Sequence, residues 1–184
     1  MEHHTHNGKA PSHGFKVGIG VLASLALQEY LLSMDIANFD IEAAVNAWPT
    51  LAQLEAQIHA LFDTEALQRR AIDETKHKYV PKEELRKQLK RVQENWTELQ
   101  TMVRNQVYPF VEMRDMLHRA GCPSDPAQIG ISRAHLRKSY QQCCFMRRRF
   151  TILDLLQRLG VFNAALDHIF GIDGPWGAGG EGEA

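Results

Sequence analysis

Cysteine is scarce and odd in number: Cys122, Cys143 and Cys144 are the only three in 184 residues, and two are adjacent. That is a poor disulfide framework and suits a reducing compartment. An excess of charge of one sign is lacking as well. The formal net charge is −1, so nothing global calls for nucleic acid or an anionic membrane as partner. The most apolar stretch, Val17 to Leu32, is interrupted by Gln28 and Glu29 and falls short of the ~20 apolar residues of a spanning helix. The polar, His-rich opening has no basic region followed by an apolar run, so no secretory signal is read there. No stretch alternates apolar and polar residues as a strand does, and no repeat is visible. These absences predict a soluble cytoplasmic protein without membrane insertion, nucleic-acid binding or β-structure.

What is present points to helices. The chain is 44% hydrophobic and 23% charged, ordinary for a globular domain, and is long enough to bury a core. Residues 1–14 read as a polar loop. From Phe15 to about Met34 apolar residues occur nearly all round, as in a helix buried inside a bundle. Asp40 caps a short helix ending before Pro49, and Thr50 opens another carrying Leu51, Leu54, Ile58 and Leu61. A further helix follows from Asp63 to about Lys78. Pro81 suits a first turn, after which Leu85, Leu89, Val92, Trp96, Leu99, Val103 and Val107 step by three or four. Pro109 breaks that helix, and Phe110, Met113 and Leu117 resume it as far as Gly121. Ser132 caps a helix through about Arg149, and two more flank Gly160. The expected architecture is an all-α bundle of six to eight helices over residues 15–172, with residues 173–184 as a disordered Gly/Glu tail.

Several constellations carry candidate chemistry. The N-terminal histidines His3, His4, His6 and His13 lack a periodic scaffold, so they do not make a complete metal site by local sequence. Gly18 and Gly20 lack the preceding strand and third glycine of a dinucleotide loop. They read instead as places where another backbone approaches closely. Glu74 and His77 have the Glu-x-x-His spacing of di-iron bundles, but a single copy amid charged neighbours reads as a solvated face. The stripe from Leu85 to Val107 suits either a coiled-coil seam with a second chain, hence a homo-oligomer, or a core-facing side. Arg147, Arg148 and Arg149, with Arg133, Arg137 and Lys138 on the preceding turns, suit a phosphate, an acidic partner or plain exposed charge. Cys143 and Cys144 lie in an apolar helical stretch and read as structural.

His13-Gly14-Phe15-Lys16-Val17-Gly18-Ile19-Gly20 resembles the segment that opens the helical domain of metal-dependent polyol dehydrogenases, the iron-containing alcohol dehydrogenase superfamily that also includes dehydroquinate synthase. Leu117 to Pro123 with Ile129-Gly130-Ile131, and Arg147 to Asp154, narrow the resemblance to sn-glycerol-1-phosphate dehydrogenases. The similar regions run from about His13 to Phe170. The resemblance implies a two-domain enzyme: a nucleotide-binding domain for NAD(P), and an all-α C-terminal domain, of which this chain is the counterpart. It implies a divalent metal (zinc, iron or nickel) held by an aspartate and two histidines, the second of which corresponds to His13. Lys16, one turn along, would meet the phosphate of a small phosphorylated polyol or ketone. The metal would polarise the substrate oxygen as hydride passes to or from the nicotinamide. The other two ligands and the cofactor domain are expected outside this chain, as a missing N-terminal domain or a partner chain, and the chain alone is expected to be inactive. The alternative is a non-enzymatic helical interaction or oligomerisation protein built on the Leu85–Val107 stripe.

Overall fold

Small polar side chains set where the helices begin. In a computed structural model of the protein, which describes residues 11–177, Ser12, Asp40, Thr50, Thr64 and Ser132 each precede a helix. Each accepts the N–H three residues on, at 3.2, 3.0, 3.3, 3.4 and 3.1 Å respectively. An amide with no intrahelical partner is thereby satisfied in every case. The helices are α1 (His13–Ser33), α2 (Ile41–Ala47), α3 (Leu51–Leu61), α4 (Glu65–Lys78), α5 (Lys82–Glu94), α6 (Trp96–Gln106), α7 (Phe110–Arg119), α8 (Arg133–Cys143), α9 (Ile152–Arg158) and α10 (Phe162–Ile169). Short 3-10 turns cover Ile36–Asn38 and Pro126–Ile129, and no strand occurs among the described residues. The all-α multi-helix expectation therefore holds.

The contacts of the chain sort into two units of interleaved sequence. The first comprises Met1–Ser33, Gln100–Arg137 and Ala165–Ala184. Here α1 packs on α7 and on the Pro126–Ile129 turn, burying Ile19, Leu22, Leu25 and Ala26. Glu29 accepts the Phe110 N–H at 2.6 Å, which satisfies a first-turn amide of α7. Phe110 in turn meets Trp176 edge to face, with centroids 5.2 Å apart.

The second unit comprises Met34–Leu99 and Lys138–Ala164. In it α2 packs on α5 and α3 on α4, with Val45, Ile58, Ala71, Leu85 and Leu156 buried. Gln93 Nε2 bridges the carbonyls of Ile36, Ala37 and Phe39, which ties the turn to α5. The Lys78 ammonium, mostly buried, binds Asp154 at 2.6 Å and the Cys144 carbonyl.

Several sequence expectations are corrected. α1 starts at His13 rather than Phe15, because Ser12 caps it. It is not enclosed on all sides: Phe15, Val17 and Val21 are exposed, and a third of its most apolar window is buried. By length and composition alone α1 is apolar enough to cross a membrane, contrary to the expected shortfall. The stripe from Leu85 to Val107 belongs to two helices, parted at Asn95, whose φ and ψ of −105° and 12° leave the helical region. α8 stops at Cys143 instead of reaching Arg149, because Cys144 and Phe145 turn into the interior. Residues 173–177 are not part of a disordered tail, since Trp176 is buried and its N–H donates to the Ile169 carbonyl at 2.8 Å. The remaining tail residues, with His3, His4 and His6, lie outside the described residues.

Candidate functional site

His13 is the first residue of α1, and the Ser12 carbonyl accepts the Lys16 N–H to start the helical ladder. The imidazole is exposed and forms no hydrogen bond with another described residue. At 3.6 residues per turn, His13, Val17, Gly20 and Ser24 share one side of α1, away from Ile19, Leu22 and Ala26. That side is open. Val17 and Val21 are 48% and 38% exposed, and a Cβ placed on Gly20 would meet nothing within 4 Å. An open groove of about 470 Å³ runs along it beside Val107, and Gln28 ends it with a buried Oε1 that has no partner. Lys16 is exposed within one turn of His13.

The two glycines differ: the Pro123 carbonyl oxygen comes within 3.9 Å of a Cβ built on Gly18, at ordinary contact distance, while no backbone approaches Gly20. A Cβ on Gly18 would meet Leu117 side-chain carbons at 3.6 Å, an ordinary contact, and Gly20 faces open space. This overturns the reading of Gly20 as a site of close backbone approach.

Several of the remaining candidates are paired within the chain. Glu74 binds Arg148 Nε at 3.0 Å, and His77 Nδ1 lies 2.7 Å from the Asp73 carbonyl oxygen. Arg148 holds the Glu74 carboxyl below its ordinary value by hydrogen bonding. Four of the six basic residues, Arg133, Arg137, Lys138 and Arg148, are engaged by carboxylates, while Arg147 and Arg149 are exposed. Arg133 pairs with Asp125 at 2.5 Å, Arg137 with Asp167 at 2.5 Å and Lys138 with Asp63 at 3.5 Å. Phe150 lies under Arg158, whose guanidinium carbon is 4.7 Å from the ring centroid. Burial pushes the Cys143 and Cys144 thiols up, away from the thiolate a nucleophile needs.

No three His, Cys, Asp or Glu side chains converge into a cation site among the described residues. One imidazole does not fit a resident metal by itself, since a catalytic centre takes about three protein ligands. Sequence reasoning singled out His13 and Lys16 and missed the buried Lys78–Asp154 pair, whose members lie 76 positions apart with no local signal linking them. Comparison of the chain with protein-family models, with curated proteins and with solved structures found no match in any of the three.

Proposed function

We propose that this chain is the helical, substrate-facing portion of an NAD(P)-dependent, metal-dependent oxidoreductase of the glycerol-1-phosphate dehydrogenase type. The observation that carries the reading is the placement of His13: an exposed imidazole without a protein partner, at the margin of an uncovered apolar helix face. A side chain so placed suits a site completed by a second domain. His13 contributes one neutral imidazole nitrogen, and the fixed first turn of α1 sets its direction. Lys16 offers a positive charge within one helical turn, suited to a phosphorylated polyol or ketone. The remaining ligands, a zinc, iron or nickel ion and NAD(P) come from outside the described residues, so the chain alone is inactive. The reading keeps α1 within a cytoplasmic protein, its Glu29 engaged with the Phe110 amide.

The test is NADH oxidation with dihydroxyacetone phosphate. The chain is assayed alone and after co-expression with the nucleotide-binding half of a glycerol-1-phosphate dehydrogenase. Turnover only in the pair, lost in His13→Ala, is expected. Absence of turnover in a stable, metal-loaded pair overturns the reading.

The helical interaction reading has less support. Leu85, Leu89 and Trp96 of its stripe are already buried within the chain, and the stripe is parted at Asn95.

A further inference from the structure

The second unit carries a cleft of about 350 Å³, floored by Leu54 and Phe145 and edged by Gln57, Gln141, Gln157 and Asn163. These four carboxamides come from α3, α8, α9 and α10, and none bonds to another described residue. The unit's other glutamines behave differently. Gln53, Gln68, Gln88, Gln93 and Gln142 each bond to a backbone or side-chain group of the chain. Among the described residues of this unit, the glutamines without any side-chain partner are therefore the three around the cleft.

No charged residue lines it, in a chain that is 23% charged. Behind Leu54, Phe145 and Gln157, an adjoining cavity holds Lys78, Asp154 and Arg158, of which Lys78 and Asp154 pair at 2.6 Å and Arg158 is taken up by Gln88 and the Lys78 carbonyl. A phosphate or carboxylate would enter without a counter-charge and lose its hydration. The volume lies at the lower end of the ~300–1,000 Å³ of small-molecule pockets, the scale of one small ligand rather than a polymer. A carboxamide presents a donor beside an acceptor and pairs bidentately with the edge of an adenine-type base. Trp48 lines the cleft but offers little free ring face for a sugar, being 9% exposed with Tyr79 stacked against one side, centroids 5.9 Å apart.

We propose that this cleft binds an uncharged nucleobase-type heterocycle, its ring between the apolar walls and its edge on the carboxamides. The site is independent of His13 and stands or falls separately from the dehydrogenase reading.

The experiment is a titration of the full chain with adenosine, read from the side-chain NH2 resonances of Gln57, Gln141, Gln157 and Asn163. Saturable shifts confined to these groups and their neighbours are expected, with AMP binding no more tightly than adenosine. Gln141→Leu combined with Gln157→Leu weakens adenosine binding about tenfold or more. Gln57→Leu, on an exposed helix surface, weakens it about threefold and serves if the double variant does not fold. No saturable shift, unchanged affinity in a folded variant, clearly tighter binding of AMP, or saturation by glucose instead would overturn the assignment.

Discussion

Asp154 is buried, yet its carboxylate has three tasks. It accepts from Lys78 at 2.6 Å, and from the Thr151 N–H and hydroxyl at 2.8 and 3.0 Å. Removing it leaves the Lys78 ammonium with a carbonyl and no counter-charge in a dry setting. Asp154→Ala is therefore expected to cost about 3 kcal/mol or more in urea unfolding. A loss near zero would show that water reaches Lys78 freely. The pair of half-buried Glu74 and exposed Arg148 behaves otherwise. Arg148 holds Glu74 below its ordinary 4.5, so between the two values the folded state binds fewer protons than the unfolded chain. This contribution is complete above the ordinary value and is lost as the pH falls through the lower folded value. The gap in urea midpoint between wild type and Arg148→Gln should be visible near about pH 7 and shrink steadily as the pH falls below the ordinary carboxyl range. A gap independent of pH would remove the carboxylate from the account.

Helix elements were legible where capping chemistry marks them. Asp40, Thr50 and Ser132 announce starts that the structure bears out within two residues, whereas Ser12, read as part of a polar loop, caps α1. Ends decided by tertiary packing were not legible. The helix expected to reach Arg149 stops at Cys143 because Cys144 and Phe145 are buried, a fact set by distant partners rather than by any Gly or Pro nearby. At Asn95 the apolar spacing continues in phase across the break, so the stripe gave no sign of it. Two glycines separate helix propensity from turn geometry. Gly20 is mid-helix and unobstructed, so Gly20→Ala should stabilise the chain by about 0.5–1 kcal/mol. Gly130 closes the Pro126–Ile129 turn at φ 75°, where a Cβ is strained, so Gly130→Ala should destabilise it by about 1 kcal/mol. Thermal unfolding of both variants checks the pair, and shifts of the same sign would contradict it.

At the scale of the whole molecule, the division into two units could not be read from sequence. Their segments interleave, so no linker marks a boundary. The order of residues through Trp176 was hidden for a related reason: the Gly-rich composition there masks a single large ring that docks on Phe110. The candidate site divides the same way. His13 and Lys16 were visible because they lie together in one run, whereas the carboxamide cleft is assembled from four helices far apart in the chain. The central claim is that His13 completes a metal centre shared with a nucleotide-binding domain. Its most direct test is the metal content of the chain co-purified with such a domain, wild type against His13→Ala. The account predicts near-stoichiometric zinc, iron or nickel in the wild-type pair and its loss in the variant, with the two chains still associated. Equal metal in both would contradict it.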